Sequence, residues 1–89
     1  MVNDKIFELR KEIDIVDREL LQKLRSRFMI SEEMGKIKAV NNIAVSDAER
    51  EVELKSLHKQ WSGQLGLDEE LVKELFDLII KKSKNIQTK

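Results

Sequence analysis

The chain has 89 residues, 38% of them charged and 4% aromatic, with three glycines, no proline and no cysteine. A chain this short forms one domain and has difficulty burying a sufficient core alone; its composition is that of long helices, and it excludes disulfide scaffolds and thiolate chemistry. Lys plus Arg equals Asp plus Glu at 17 each, so the basic excess of a nucleic-acid binder is absent.

The N-terminal stretch carries Asp4 and Glu8 and lacks a long apolar run, so neither a signal peptide nor a membrane span is expected. The composition points to a cytoplasmic, all-α domain spanning 1–89, with no nucleic-acid or membrane partner. Three helices follow from the punctuation. Asn3 or Asp4 can cap the first, whose 3.6-residue pattern persists to about Val40, where Asn41-Asn42 ends it. Ile6, Leu9, Ile13, Val16, Leu20 and Leu24 form its apolar stripe, and the same steps then reach Arg27, Ser31, Met34 and Lys38. At 1.5 Å per residue this helix is roughly 55 Å long, against a diameter of about 30 Å for a compact monomer of this size. A dimer built around paired long helices is therefore expected.

Ser46-Asp47-Ala48-Glu49 reads as a capping box opening a second helix, which runs to about Ser62 before Gly63. Asp47, Arg50, Leu54, Leu57 and Trp61 share one of its faces, with Glu51 beside them. Here a plain structural account competes: Asp47 and Glu49 suit the positive helix end, and Arg50 can pair with Glu53. His58 reads as a surface or rim residue and Trp61 as core. Asp68 caps a third helix that runs to about Gln87. Its stripe of Val72, Phe76, Ile79 and Ile80 leads into Ser83 and Gln87, an i, i+4 pair facing the same way.

A stripe that starts apolar and continues polar either surfaces into water or lines a polar pocket. Arg27 and Lys38 are 11 residues apart, hence on one face and about 16 Å apart along the axis, within reach of one small anion. Each can equally be a solvated cation, and Ser83 and Gln87 a solvated helix end. Arg10 lies 17 residues before Arg27, about 25 Å away, so the two cannot grip one small ligand within a single chain. Across an antiparallel dimer they can, although spacing alone favours a surface role for Arg10. The sequence contains no phosphate loop, nucleophile elbow or metal motif. Together the polar residues describe a pocket of cations, carboxylates, amides and hydroxyls without a nucleophile. Such a pocket suits a small, multiply anionic ligand and catalysis by orientation and electrostatics.

These residues resemble the all-helical (type II) chorismate mutase family. The resemblance rests on Leu9-Arg10-Lys11-Glu12-Ile13-Asp14, Asp17-x-x-Leu20-Leu21, Arg27 and Gly35-Lys36-Ile37-Lys38. It continues through Val45-Ser46-Asp47-Ala48-Glu49-Arg50-Glu51 and Leu78-Ile79-Ile80-x-x-Ser83-x-x-x-Gln87, nearly the whole chain. It implies an intertwined homodimer of three-helix chains that rearranges chorismate to prephenate in phenylalanine and tyrosine biosynthesis, with no cofactor and no metal. By position, Arg27 would bind a substrate carboxylate with Arg10 from the other chain, and Arg50 and Ser83 would support the carboxylates. Lys38 and Gln87 would donate to the ether oxygen. Glu51 would accept from the ring hydroxyl, with a contact from the Asp47 region. One departure is that Ala44 stands where the family commonly has proline, so a looser 41–47 turn, ordered by substrate, is expected. Isochorismate–pyruvate lyase and a non-catalytic helical dimerisation module are the competing readings.

Overall fold

The computed structural model describes residues 1–88 and contains three helices in chain order: α1 (Val2–Val40), α2 (Ala48–Leu65) and α3 (Glu69–Gln87). No strand occurs among the described residues, so the all-α expectation holds. Among the described residues, no helix is long and apolar enough to cross a membrane. The chain divides into two compact units, Met1–Ile30 and Ser31–Lys89.

The first unit is a stretch of α1. Its apolar stripe lies bare: Ile6, Leu9, Ile13, Val16 and Leu20 are all exposed. An amphipathic helix takes most of its stability from burying such a face, so this one is incomplete in a single chain.

In the second unit, α2 and α3 pack against each other. His58 of α2 stacks on Phe76 of α3, with ring centroids 3.7 Å apart and planes 20° from parallel, while Val72 is buried beside them. His58 is therefore an interior residue and not the surface or rim residue its isolation in the sequence suggested. Trp61, expected in the core, is instead 46% exposed, with its ring tilted against His58. Both reversals have one cause: the flat imidazole takes the place on Phe76 and leaves the indole at the edge.

The helix ends correct the expected boundaries by small amounts. Asp47, one residue after Ser46, is the α2 N-cap, and its carboxylate accepts from the Arg50 backbone N–H at 3.1 Å. The Ser46–Glu49 box does not form, because Glu49 then falls one position short of the box's third helical residue. Helix α2 runs past Gly63 to Leu65 and stops at Gly66, whose φ of 67° is left-handed. The Leu67 N–H returns to the Ser62 carbonyl at 2.9 Å, closing a Schellman motif. Helix α1 ends the same way, with Asn42 at φ 54° and Ile43 N–H donating to the Lys38 carbonyl at 2.8 Å. Asp68 caps α3 as expected, accepting from Leu71 N–H at 2.9 Å.

These two glycines yield a paired prediction. Gly66→Ala forces a Cβ into left-handed backbone and costs about 1–2 kcal/mol. Gly63→Ala, at an interior helix position where an added Cβ would meet open space, gains up to about 1 kcal/mol. Thermal melts of the two variants should shift in opposite directions; a common direction would contradict the assigned α2 terminus.

Candidate active site

The polar ends of the stripes come together in the second unit, where the last turns of α1 lie against the last turns of α3. Three contacts at successive turns define this seam. Ser31 Oγ donates to Ser83 Oγ at 3.1 Å, and both residues are buried. Gly35, also buried, meets the Gln87 backbone so closely that a Cβ built on it would lie 2.7 Å from Gln87 Cα. One turn further, Lys38 Nζ donates to Gln87 Oε1 at 2.8 Å and to the Val45 carbonyl at 3.0 Å. Ser31, Gly35 and Lys38 recur at the three- and four-residue steps of one α1 face, and Ser83 and Gln87 do so on α3.

The stripe of α3 is thus a wall and not an end dissolving into water: Val72 and Ser83 are buried, and Phe76, Ile79, Ile80 and Gln87 are half-buried. The consequence is an inverted burial pattern. Among the described residues Val72 is the only buried apolar side chain, whereas Ser31, His58, Ser62 and Ser83 are buried polar ones. Buried hydroxyls are tolerated when paired, and no buried side-chain N or O lacks a partner among the described residues.

Lys38 fixes a chemical ambiguity at Gln87. The ammonium carries no acceptor, so the amide must present its oxygen to it. The Nε2 hydrogens then point away from Lys38 and lack a partner among the described residues. With two of its three hydrogens used, Lys38 retains one. The pair therefore offers a cationic N–H and a neutral N–H from adjoining positions, which is the donor set for an oxygen that gains negative charge.

The remaining expected site residues divide into three groups. Glu51 of α2 is half-buried and forms a close ion pair with Lys84 of α3, one turn before Gln87. Asp47 is committed to capping α2, and Arg50 is exposed and paired with Glu53 at 2.9 Å, the plain account considered from the sequence. Arg10 and Arg27 belong to the Met1–Ile30 unit, where Arg10 is exposed and Arg27 is half-buried and engaged in an interaction of its own. Helix α1 is continuous between them, so the rise of about 25 Å stands. No cluster of three or more His, Asp or Glu suited to a metal occurs among the described residues.

Residues 9–88 match the sequence profile of the family described as chorismate mutase type II. The chain belongs to the chorismate mutase type II family. A protein from Methanocaldococcus jannaschii named chorismate mutase is 26% identical over 84 residues, covering 94% of this chain and 85% of its own length. The T-protein of Haemophilus influenzae is 26% identical over 76 residues, and the bifunctional chorismate mutase/prephenate dehydratase of Aquifex aeolicus is 39% identical over 51. The chain covers 85% and 57% of itself in these two matches, yet spans only 20% and 14% of the larger proteins.

Within this chorismate mutase fold, sequence reasoning missed four contributors. Ser31 lay on the recognised stripe but was assigned no partner. Lys84 sits one step off the α3 stripe, so its pairing with Glu51 required the α2–α3 packing. The Val45 carbonyl is main chain and leaves no residue-type signature. Gly35 did carry a signal: an interior helix glycine costs about 1 kcal/mol relative to alanine, which asks for a compensating reason.

Proposed function

We propose that the chain is a chorismate mutase, rearranging chorismate to prephenate on the way to phenylalanine and tyrosine. The observation that carries the reading furthest is the Lys38–Gln87 pair held at 2.8 Å with donor capacity to spare. In this intramolecular reaction one C–O bond breaks as one C–C bond forms, and no proton, electron or second substrate is required. No cofactor, metal or nucleophile enters. Negative charge gathers on the ether oxygen as its bond lengthens, and Lys38 and Gln87 donate to that oxygen. They hold the transition state more tightly than the ground state, which is what accelerates the step.

The other roles follow from charge. Arg27, with Arg10 from the partner protomer, grips the carboxylates and selects the folded conformer of the substrate. Arg50 leaves its exposed pairing with Glu53 to join the carboxylate network, an exchange that costs little because surface ion pairs contribute roughly 0–1 kcal/mol. Ser83 supports the same network, Glu51 accepts from the ring hydroxyl, and Asp47 shapes that end of the pocket. Residues 1–89 act as one domain, in the cytoplasm.

A homodimer completes the molecule. The bare stripe of Ile6, Leu9, Ile13, Val16 and Leu20, and a single buried apolar side chain among the described residues of one protomer, leave a folding deficit that a second copy makes good. Light scattering should return twice the chain mass. Incubation with chorismate should yield prephenate; salicylate plus pyruvate from isochorismate would establish the lyase instead. A folded dimer with no turnover of either would leave a structural module.

A further inference from the structure

We propose that Gly35 is a positioning residue for Gln87, setting where its amide is presented to the reacting ether oxygen; this rests on the chorismate mutase reading. The observation is steric. A Cβ at position 35 would stand 2.7 Å from Gln87 Cα, 2.9 Å from its carbonyl oxygen and 3.2 Å from its carbonyl carbon. Ordinary contact begins near 3.4 Å. All three obstructing atoms are backbone, so no rotamer change relieves them and the end of α3 must shift by about 0.7 Å or more.

The location of that shift is what matters. Lys38 lies three residues after Gly35 on the α1 face that packs on α3, and its ammonium reaches Gln87 Oε1 at 2.8 Å. Pushing α3 away at Gly35 lengthens this bond and withdraws the Nε2 donor from its target. The loosely packed Gly63 provides the contrast: with nothing within 4 Å of its Cβ position, its helical cost has no steric return. Gly35 keeps its place because glycine alone permits the backbone approach that seats Gln87.

A double-mutant cycle tests this. Gly35→Ala, Gln87→Ala and the double variant are compared for thermal midpoint, dimer mass, kcat and KM, all carrying Gly63→Ala to supply stability. The Gln87 backbone atoms survive Gln87→Ala, so Gly35→Ala should lower the thermal midpoint about equally in both backgrounds. Its effect on kcat should differ: a fall of about 10- to 100-fold when Gln87 is present, and almost none when it is absent. An equal fall in kcat in both backgrounds, near-full kcat for Gly35→Ala, or a Gly35→Ala chain that does not fold would each overturn the assignment. An inactive parent would overturn the chorismate mutase reading, and Gly35's role with it, and is told apart by the parent's own assay.

Discussion

Replacing Lys38 by alanine lowers kcat on chorismate by about 10²–10³-fold or more, the range for removing one charge-stabilising donor from an enclosed site. Two losses combine in this variant. Under the proposed mechanism the ammonium donor to the ether oxygen disappears, and Gln87 loses the partner that orients its amide oxygen. The helices should survive, because Lys38 is half-buried and the Val45 carbonyl it releases can turn to water. Circular dichroism and light scattering on Lys38→Ala should therefore match the parent. Since the two donors act as a unit, Lys38→Ala and Gln87→Ala together should cost far less than the product of their separate effects. Near-parental turnover by Lys38→Ala would remove the pair from the mechanism.

Mixing two inactive chains restores activity. Arg10→Ala and Arg27→Ala homodimers should each lose most turnover, because each lacks one carboxylate-binding cation at both sites. A dimer containing one chain of each kind has one site with both arginines and one with neither. Random re-pairing makes half the dimers mixed, so total activity should recover to about a quarter of the parental value. The prediction depends on α1 being continuous from Arg10 to Arg27, which separates them by about 25 Å, too far for both to grip one small ligand within a single chain. If re-paired mixtures remain inactive, Arg10 does not act across the interface.

The sequence exposed these features unevenly, for physical reasons. Helices α1 and α3 were legible because their periodic stripes are long and two ends carry strong signals: Asn42 tolerates left-handed backbone, and Asp68 is a good N-cap. The start of α1 was not, since the helix begins at Val2 and places the expected caps Asn3 and Asp4 inside its first turn. Because Gly63 resembles a terminator, the sequence predicts an α2 three residues shorter than the helix that ends at Leu65. Two glycines three residues apart offer the same cue, and only backbone conformation separates Gly63 from Gly66. A lone histidine in sequence suggests polar surface, whereas the stacking of His58 on Phe76 depends on the α2–α3 register.

The candidate site was legible where side chains interrupt a stripe, as at Lys38, Ser83 and Gln87, which the fold brings into contact with one another or with Ser31. It was less so at Arg50, whose spacing also suits Glu53 and whose side chain takes that partner in this structure. The spacing singles out Glu51 as a candidate but gives no hint of its ion-pair partner Lys84, since a pair between helices has no fixed sequence separation.

The Val45 carbonyl confers a form of mutational robustness. Half of the anchoring of Lys38 comes from a main-chain oxygen, which every residue at position 45 supplies. Drift in the side chains of the α1–α2 connection can therefore proceed without removing that anchor, provided the turn keeps its path. Selection on this segment then falls on loop length and backbone conformation more than on residue identity, so a single insertion there should be more harmful than most substitutions.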